Sequence, residues 1–273
     1  MVLSVNANAG NKYAVLGALV SPTTYAEVVT AVIGAAEARR PLSVTAAAVH
    51  AVMVAVLDRR FRSRLNRLDI VTPDGQPVRW ALRLLYNVRL PDRVYGPELT
   101  LRLCAEAEQR GLHVYFYGSS AETLRALTAN VRARFPKLII AGAQPSAFRR
   151  LTEEEQREIY RQIRISGADL VFVGLGCPRQ ENWVYEARRS LYLPLVAVGA
   201  AFDLLGGVKA QAPAWMQARG LEWLFRLTQE PRRLWQRYLL LNPLYIILLL
   251  AQWLRLRTFD TQGDGIEQDH RYG

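Results

Sequence analysis

The chain has 273 residues, 51% of them apolar, and carries 35 Lys and Arg against 24 Asp and Glu, a net charge of +11. That length and apolar content exclude a disordered chain and allow one large domain, or a domain with an appendage. Two cysteines, Cys104 and Cys177, exclude a disulfide framework, and the arginine-rich excess favours an anionic partner such as nucleic acid, acidic lipid or a phosphorylated substrate.

Residues 1–12 are small and polar and are expected to fray. No basic region followed by an apolar run opens the chain, so no signal peptide is expected, and a reducing compartment fits the cysteine count. Lys12 to Ser21 reads as a first strand. Ser21-Pro22 reads as a helix cap with proline at the first helical position, opening a helix to about Arg39. Leu42 to Ala46 is the next strand, followed by one helix from His50 to Leu65. Asp69 to Pro73 is a strand ending at Asp74-Gly75, and Gln76 to Tyr86 and Gly96 to Arg110 are helices. His113 to Tyr117 is a strand running into Gly118-Ser119-Ser120, with a helix to about Phe135 and a short strand from Leu138 to Ala141. Thr152 opens a helix as a capping box, with Glu155 three residues on. Leu170 to Val173 and Pro194 to Val198 complete the strands.

Strands alternating with helices over the first 200 residues predict an α/β fold, a Rossmann-like parallel sheet with helices on both faces. Ligands of such sheets bind beyond the carboxyl ends of the strands. Asp74-Gly75, Gly118 to Ser120 and Gly174 to Gln180 all fall there, and are expected around one crevice.

The stretch after Val173 is the most informative. Gly174 and Gly176 follow a buried strand, and Pro178 suits the first turn of a helix. A glycine turn into a helix start aims backbone N–H groups at an anion, and Arg179 adds a formal charge. An ordinary βα turn is the alternative. A dinucleotide site is disfavoured, because the third glycine of G-x-G-x-x-G would fall at Arg179. No Walker-A lysine, Asp-x-Asp motif, serine-hydrolase elbow or metal-spaced histidine pair occurs, so no metal or cofactor is expected. Asp74, in Pro-Asp-Gly, reads either as a turn aspartate or as a carboxylate facing the crevice.

Residues 1–206 read as the catalytic core and 207–257 as a basic, tryptophan-rich helical appendage, with a disordered tail over 258–273. Residues 212–257 hold Trp215, Trp223, Trp235 and Trp253, and seven arginines against Glu222 and Glu230, a net +5. Leu244 to Ala251 is continuously apolar, but Asn242-Pro243 interrupts the run. The uncharged stretch between Arg237 and Arg255 barely reaches the roughly 20 residues of a membrane span. An interfacial or re-entrant helix pair on an anionic membrane surface fits better, with a soluble helical appendage as the alternative.

These stretches together resemble the bacterial WecG/TagA/CpsF glycosyltransferases. The resemblance rests on Leu68-Asp-Ile-Val-Thr-Pro-Asp-Gly-Gln-Pro-Val-Arg-Trp, Arg93-Val-Tyr-Gly-Pro-Glu-Leu, Phe148-Arg-Arg-Leu-Thr-Glu-Glu-Glu and Val173-Gly-Leu-Gly-Cys-Pro-Arg-Gln-Glu. It continues in Val198-Gly-Ala-Ala-Phe-Asp-Leu-Leu-Gly-Gly, Ala212-Pro-Ala-Trp-Met-Gln and Gly220-Leu-Glu-Trp-Leu-Phe-Arg-Leu-Thr-Gln-Glu-Pro-Arg-Arg-Leu. It implies a metal-independent, inverting transfer from a UDP-sugar to an undecaprenyl-diphosphate-linked saccharide, in building a surface polysaccharide. The place would be the cytoplasmic face of the bacterial inner membrane, with the C-terminal segment anchoring the enzyme and completing its site. The implied base is Asp74, assisted by His50 and Arg93. The implied nucleotide pocket draws on Thr45, Gly118, Gly174, Gly176, Pro178, Arg179, Gln180, Glu181 and Asp203. Arg226, Arg232, Arg233 and Arg237 would meet the diphosphate or the membrane. The chain departs from the family pattern at Ala48, usually asparagine, and at Pro97, usually serine or threonine.

A basic nucleic-acid-binding module and a nucleotide-sugar hydrolase are the competing readings. No nucleic-acid motif is present, so nucleic acid is not an expected partner, while self-association stays open.

Overall fold

The structure, a computed structural model, describes residues 12–262. The expected fraying of residues 1–11 and the tail from 263 onward lie outside the described residues.

Six strands form one parallel sheet: β3 (Leu42–Ala47), β4 (Ile70–Pro73), β5 (His113–Gly118), β6 (Ile139–Gln144), β7 (Leu170–Gly174) and β8 (Pro194–Ala197), in the order β4-β3-β8-β7-β5-β6. Both faces are buried, as expected of a parallel sheet. In β5, Val114 and Phe116 point into one core and Tyr115 and Tyr117 into the other. In β7, Leu170 and Phe172 join the first core, Val171 and Val173 the second. Phe116 stacks on Phe172 at 5.3 Å between ring centroids, and Tyr117 meets Trp183 at 4.7 Å on the opposite face.

The helices are α1 (Tyr25–Glu37), α2 (Val49–Leu57), α3 (Arg59–Asn66), α4 (Gln76–Tyr86), α5 (Gly96–Arg110), α6 (Ala121–Arg134), α7 (Glu153–Ile165), α8 (Arg179–Ala187) and α9 (Ala201–Leu205). The capping box at Thr152 is present, with Glu155 N–H donating to Thr152 Oγ1 at 3.2 Å and Thr152 N–H to Glu155 at 2.9 Å.

Four local expectations are corrected. The first strand is a hairpin, β1 (Tyr13–Val15) and β2 (Ala18–Val20), because Leu16 and Gly17 both take positive φ and turn the chain. Thr24, not Ser21, caps α1; Ser21 instead extends the edge of β4, its N–H donating to Val71 O at 2.8 Å while its Oγ accepts from Val71 N–H at 3.0 Å. The helix expected over His50–Leu65 breaks at Asp58, whose carboxylate accepts from the N–H groups of Arg60 and Phe61 and starts α3. Pro178 precedes α8 rather than occupying its first turn.

Residues 214–253 fold back over the carboxyl edge of the sheet as α10 (Ala214–Ala218), α11 (Glu222–Gln229), α12 (Pro231–Trp235) and α13 (Leu241–Trp253). A π-helical turn at Gln236–Leu240 joins the last two into 23 helical residues from Pro231 to Trp253. Pro243 explains the turn. It has no N–H, and in a regular α-helix its ring would meet the carbonyl of Leu239. Tyr245 and Leu248 are buried against the body, and Tyr245 OH donates to Pro77 O at 3.1 Å. Gln252 clips α13 to the hairpin, accepting from Leu16 N–H at 2.9 Å and donating to Ala14 O at 2.8 Å. The opposite face is apolar and open, with Ile247 63% and Leu254 56% exposed. Residues 258–262 depart from the expected disordered tail. Arg62 donates to Gln262 O at 3.3 Å, and Asn66 Nδ2 to Thr261 O at 2.9 Å.

Candidate active site

A cavity of about 450 Å³ lies beyond the carboxyl ends of β4, β3 and β8, with the C-terminal helices as its roof. The body contributes Ala48 to His50, Asp74 to Pro77, Trp80, Arg93 and Tyr95. The roof contributes Glu222, Trp223, Arg226, Arg237, Tyr238 and Asn242. The sequence-predicted residues Asp74, His50, Arg93, Arg226 and Arg237 therefore meet in one place.

Asp74 follows β4 directly. Its N–H donates to Ala47 O at 3.2 Å, which fixes the strand end. Its carboxylate does not cap its own turn, since α4 has no side-chain cap. It reaches across to accept from Gly96 N–H, at the start of α5, at 3.2 Å. That contact needs α5 close to β8: a Cβ on Gly96 would stand 2.8 Å from Val198 O. Burial pushes the Asp74 pKa up to about 6. Arg93, the Gly96 N–H and Arg226 oppose the rise, and Glu222 adds to it. Arg93 is 7% exposed, and its guanidinium lies 4.2 Å from the Tyr95 ring centroid. One of its nitrogens, Nη2, is 2.9 Å from Glu222 Oε2 and donates to Gln217 Oε1 at 2.9 Å. His50 is held neutral, its pKa lowered to about 3 by burial and by Arg237, and its buried Nδ1 has no hydrogen-bond partner. Ala48 stands at the N-cap of α2 without a side-chain cap. An asparagine there would satisfy an N–H, worth about 1 kcal/mol.

A raised carboxylate pKa destabilises the fold at neutral pH. The native state binds a proton more tightly than the unfolded chain, so stability present at low pH is lost as pH rises through about 6. Asp74→Asn is therefore expected to melt higher than the parent at pH 8, by on the order of 1–3 kcal/mol, with the gain vanishing below pH 4. Thermal melts at both pH values check this; a lower melting temperature at pH 8 would contradict it.

The residues expected to form a nucleotide pocket sit beside this cavity and do not line it. Thr45 Oγ1 and Gln180 Nε2 both donate to Glu181 Oε1, at 3.0 and 2.9 Å, in a buried cluster tying β3 to α8. Gly118 and Gly174 are packing positions. A Cβ on Gly118 would meet the Gly174 carbonyl carbon at 2.6 Å, and one on Gly174 would meet the Phe202 ring at 2.5 Å. Gly176, Pro178 and Arg179 form the turn into α8, where the Arg179 guanidinium lies 5.9 Å from the Phe148 ring centroid. Asp203 is engaged by Ser119 Oγ at 3.3 Å and Lys209 Nζ at 2.6 Å. Arg232 and Arg233 face outward, Arg233 pairing with Glu230, so of the four arginines expected to meet the diphosphate or the membrane, Arg226 and Arg237 reach the cavity, joined there by Arg219. Sequence reading missed Tyr95, Gln217, Glu222 and Tyr238. Glu222 did carry a signal, since it lies inside the Gly-Leu-Glu-Trp stretch that carries the family resemblance. Among the described residues, no three His, Cys, Asp or Glu side chains gather as a metal site.

This arrangement offers a carboxylate that can take a proton, arginines that can neutralise phosphate charge, and aromatic walls. The profile of the Glycosyl transferase WecG/TagA/CpsF family matches residues 13–259. The chain belongs to this family. It is 32% identical over 198 residues to the N-acetylglucosaminyldiphosphoundecaprenol N-acetyl-beta-D-mannosaminyltransferase of Bacillus spizizenii (strain ATCC 23059 / NRRL B-14472 / W23), covering 72% of this chain and 74% of that protein. To the protein of the same description from Bacillus subtilis (strain 168) it is 29% identical over 218 residues, 79% of this chain and 80% of that protein. A WecG/TagA/CpsF chain is a glycosyltransferase.

Proposed function

We propose that this glycosyltransferase moves a sugar, with inversion, from a UDP-sugar to an undecaprenyl-diphosphate-linked saccharide in the making of a bacterial surface polysaccharide. The relatives' descriptions support an N-acetylmannosaminyl group as the sugar and N-acetylglucosaminyldiphosphoundecaprenol as the acceptor. The observation that carries the reading is the meeting of Asp74 with Arg93, Arg226 and Arg237 in one cavity, under a helix with an open apolar outer face.

In this reaction the acceptor hydroxyl attacks the anomeric carbon while Asp74 takes its proton. The bond to UDP breaks on the opposite side, and the diphosphate leaves with its electron pair. The departing charge meets Arg226 and Arg237, so the chain's own cations neutralise it. The nucleoside lies further along the carboxyl edge, against the turns at Gly118 to Ser120 and Gly174 to Glu181. Gln180 supports that path, because its amide lies 3.5 Å from a Cβ position on Gly199, which follows the cavity residue Val198.

A metal-free mechanism has a direct test. Calorimetric affinity for UDP is expected to be the same with EDTA as with magnesium or manganese. A large loss in EDTA, restored by either ion, would remove the mechanism.

The membrane surface is the other partner. Leu239, Leu240, Ile246, Ile247, Leu250 and Trp253 are exposed along the last two helices, and Trp215 and Trp235 on the same appendage. The 23 helical residues are long and apolar enough to span a bilayer, yet one side is seated on the body through Tyr245 and Leu248. A helix buried on one side and apolar on the other lies in the interface, at the cytoplasmic face of the inner membrane where the lipid-linked acceptor presents its sugar.

A further inference from the structure

We propose that Glu222 is a positioning residue for the transfer: it holds the Arg93 guanidinium to the roof, so that the Asp74 carboxylate stays free to accept a proton. The proposal rests on the assignment of Asp74 as the base. Arg93 stands between two carboxylates, one on the body and one on the roof. A buried guanidinium beside a carboxylate ordinarily closes into a short, charge-assisted pair. Asp74 is near enough to act on the charge of Arg93, yet the ion pair of Arg93 is with Glu222, at 2.9 Å. The guanidinium is held from three sides. Glu222 and Gln217 each lie 2.9 Å from Nη2, and the Tyr95 ring lies against it. Gln217 is itself anchored, its Nε2 donating to Ala212 O at 2.7 Å.

Such a site needs the C-terminal segment in place. Both ligands of Arg93 lie in the C-terminal segment, and both carboxylates are largely shielded, the Glu222 side chain being 14% exposed. Without Glu222, Asp74 would be the carboxylate left acting on the charge of Arg93, and a base locked in an ion pair holds its proton affinity low. Two effects then act in one direction. Glu222 raises the proton affinity of Asp74 through its own charge, and it restrains Arg93, whose charge lowers it. The other groups facing Asp74 are Tyr25 on α1, Tyr95 ahead of α5 and Arg226 on α11, with His50, Arg219 and Arg237 further round the wall. Among the groups acting on Asp74 from the roof, Glu222 is the anion and Arg226 the cation.

The test is the pH profile of kcat for the full chain, with saturating UDP-sugar and lipid-linked acceptor. The parent is expected to lose turnover as pH falls through the pKa of Asp74. Glu222→Gln keeps an acceptor for Arg93 and removes the charge. It is expected to move the acid limb to lower pH and to reduce the plateau roughly three- to tenfold, with KM for the UDP-sugar little changed. Glu222→Asp restores the charge and is expected to return the limb toward the parental position, which separates charge from disturbed folding. An acid limb unmoved in Glu222→Gln, while Asp74→Asn is inactive, would overturn this proposal alone. A loss in Glu222→Gln as deep as that of Asp74→Asn would make Glu222 the base and overturn it too. Full turnover in Asp74→Asn would instead remove the base assignment, and this proposal with it.

Discussion

Asp74→Asn is expected to lower kcat by about 10²- to 10⁴-fold, the usual worth of a positioned general base, while UDP affinity stays nearly the same. The substitution keeps the shape and one acceptor oxygen for Gly96 N–H, so the strand end and the start of α5 need not move. What it removes is the only function of Asp74 that the reaction uses. A sugar hydroxyl does not ionise at neutral pH, and a carboxylate pushed up to about 6 by burial is a stronger base than an exposed one. It remains ionised in most molecules above that pH, so both requirements hold near neutrality. The alternatives in the same cavity are weaker. His50 is held neutral with its pKa near 3, and Glu222 is occupied by Arg93. Near-normal turnover in Asp74→Asn would send the search back to those two side chains.

Removing residues 207–273 is expected to release the protein from anionic vesicles and to abolish transfer. The two losses have different causes. Vesicle binding goes because the exposed apolar face and a net +5 over residues 212–257 go, each basic residue near an anionic surface being worth about 1 kcal/mol at low salt. Transfer goes because Glu222, Arg226 and Arg237 are walls of the cavity. Truncation also uncovers the surface under Tyr245 and Leu248, so a gentler variant separates the effects. Ile247→Glu with Leu250→Glu changes only exposed positions, 63% and 44% accessible. It is expected to cut vesicle sedimentation about tenfold or more, while UDP binding is retained. If the truncated protein or the double variant still sediments fully with vesicles, the anchor lies elsewhere on the molecule.

Much of this architecture is legible in the sequence because it is local. The strand Leu170 to Val173 is a short apolar run stopped by glycine, and Thr152 with Glu155 marks a helix start by itself. The Leu16-Gly17 turn and the Asp58 break were hidden, the first inside an apolar run and the second at the junction of an apolar helix with an arginine-rich one. The cavity was half legible. Asp74 could be placed at a strand end, but its escape from its own turn depends on Gly96, 22 residues away. Which arginines face inward could not be read at all. Arg226, Arg232, Arg233 and Arg237 look alike in sequence, and a π turn between α12 and α13 changes the phase of the helix beyond Gln236. The glycine turn holds a contact that the sequence does not show. Gly174 also has a packing role, since its lack of a side chain makes room for Phe202.

Mass spectrometry of the lipid-linked product decides whether the chain transfers a sugar to a lipid-linked acceptor. The full chain is incubated with UDP-N-acetylmannosamine and N-acetylglucosaminyldiphosphoundecaprenol, with EDTA present. One N-acetylhexosamine is expected to be added to the lipid-linked acceptor and UDP to be released in equal amount, only when the acceptor is present. UDP released without acceptor and with no lengthened lipid-linked saccharide would mean a hydrolase and contradict it.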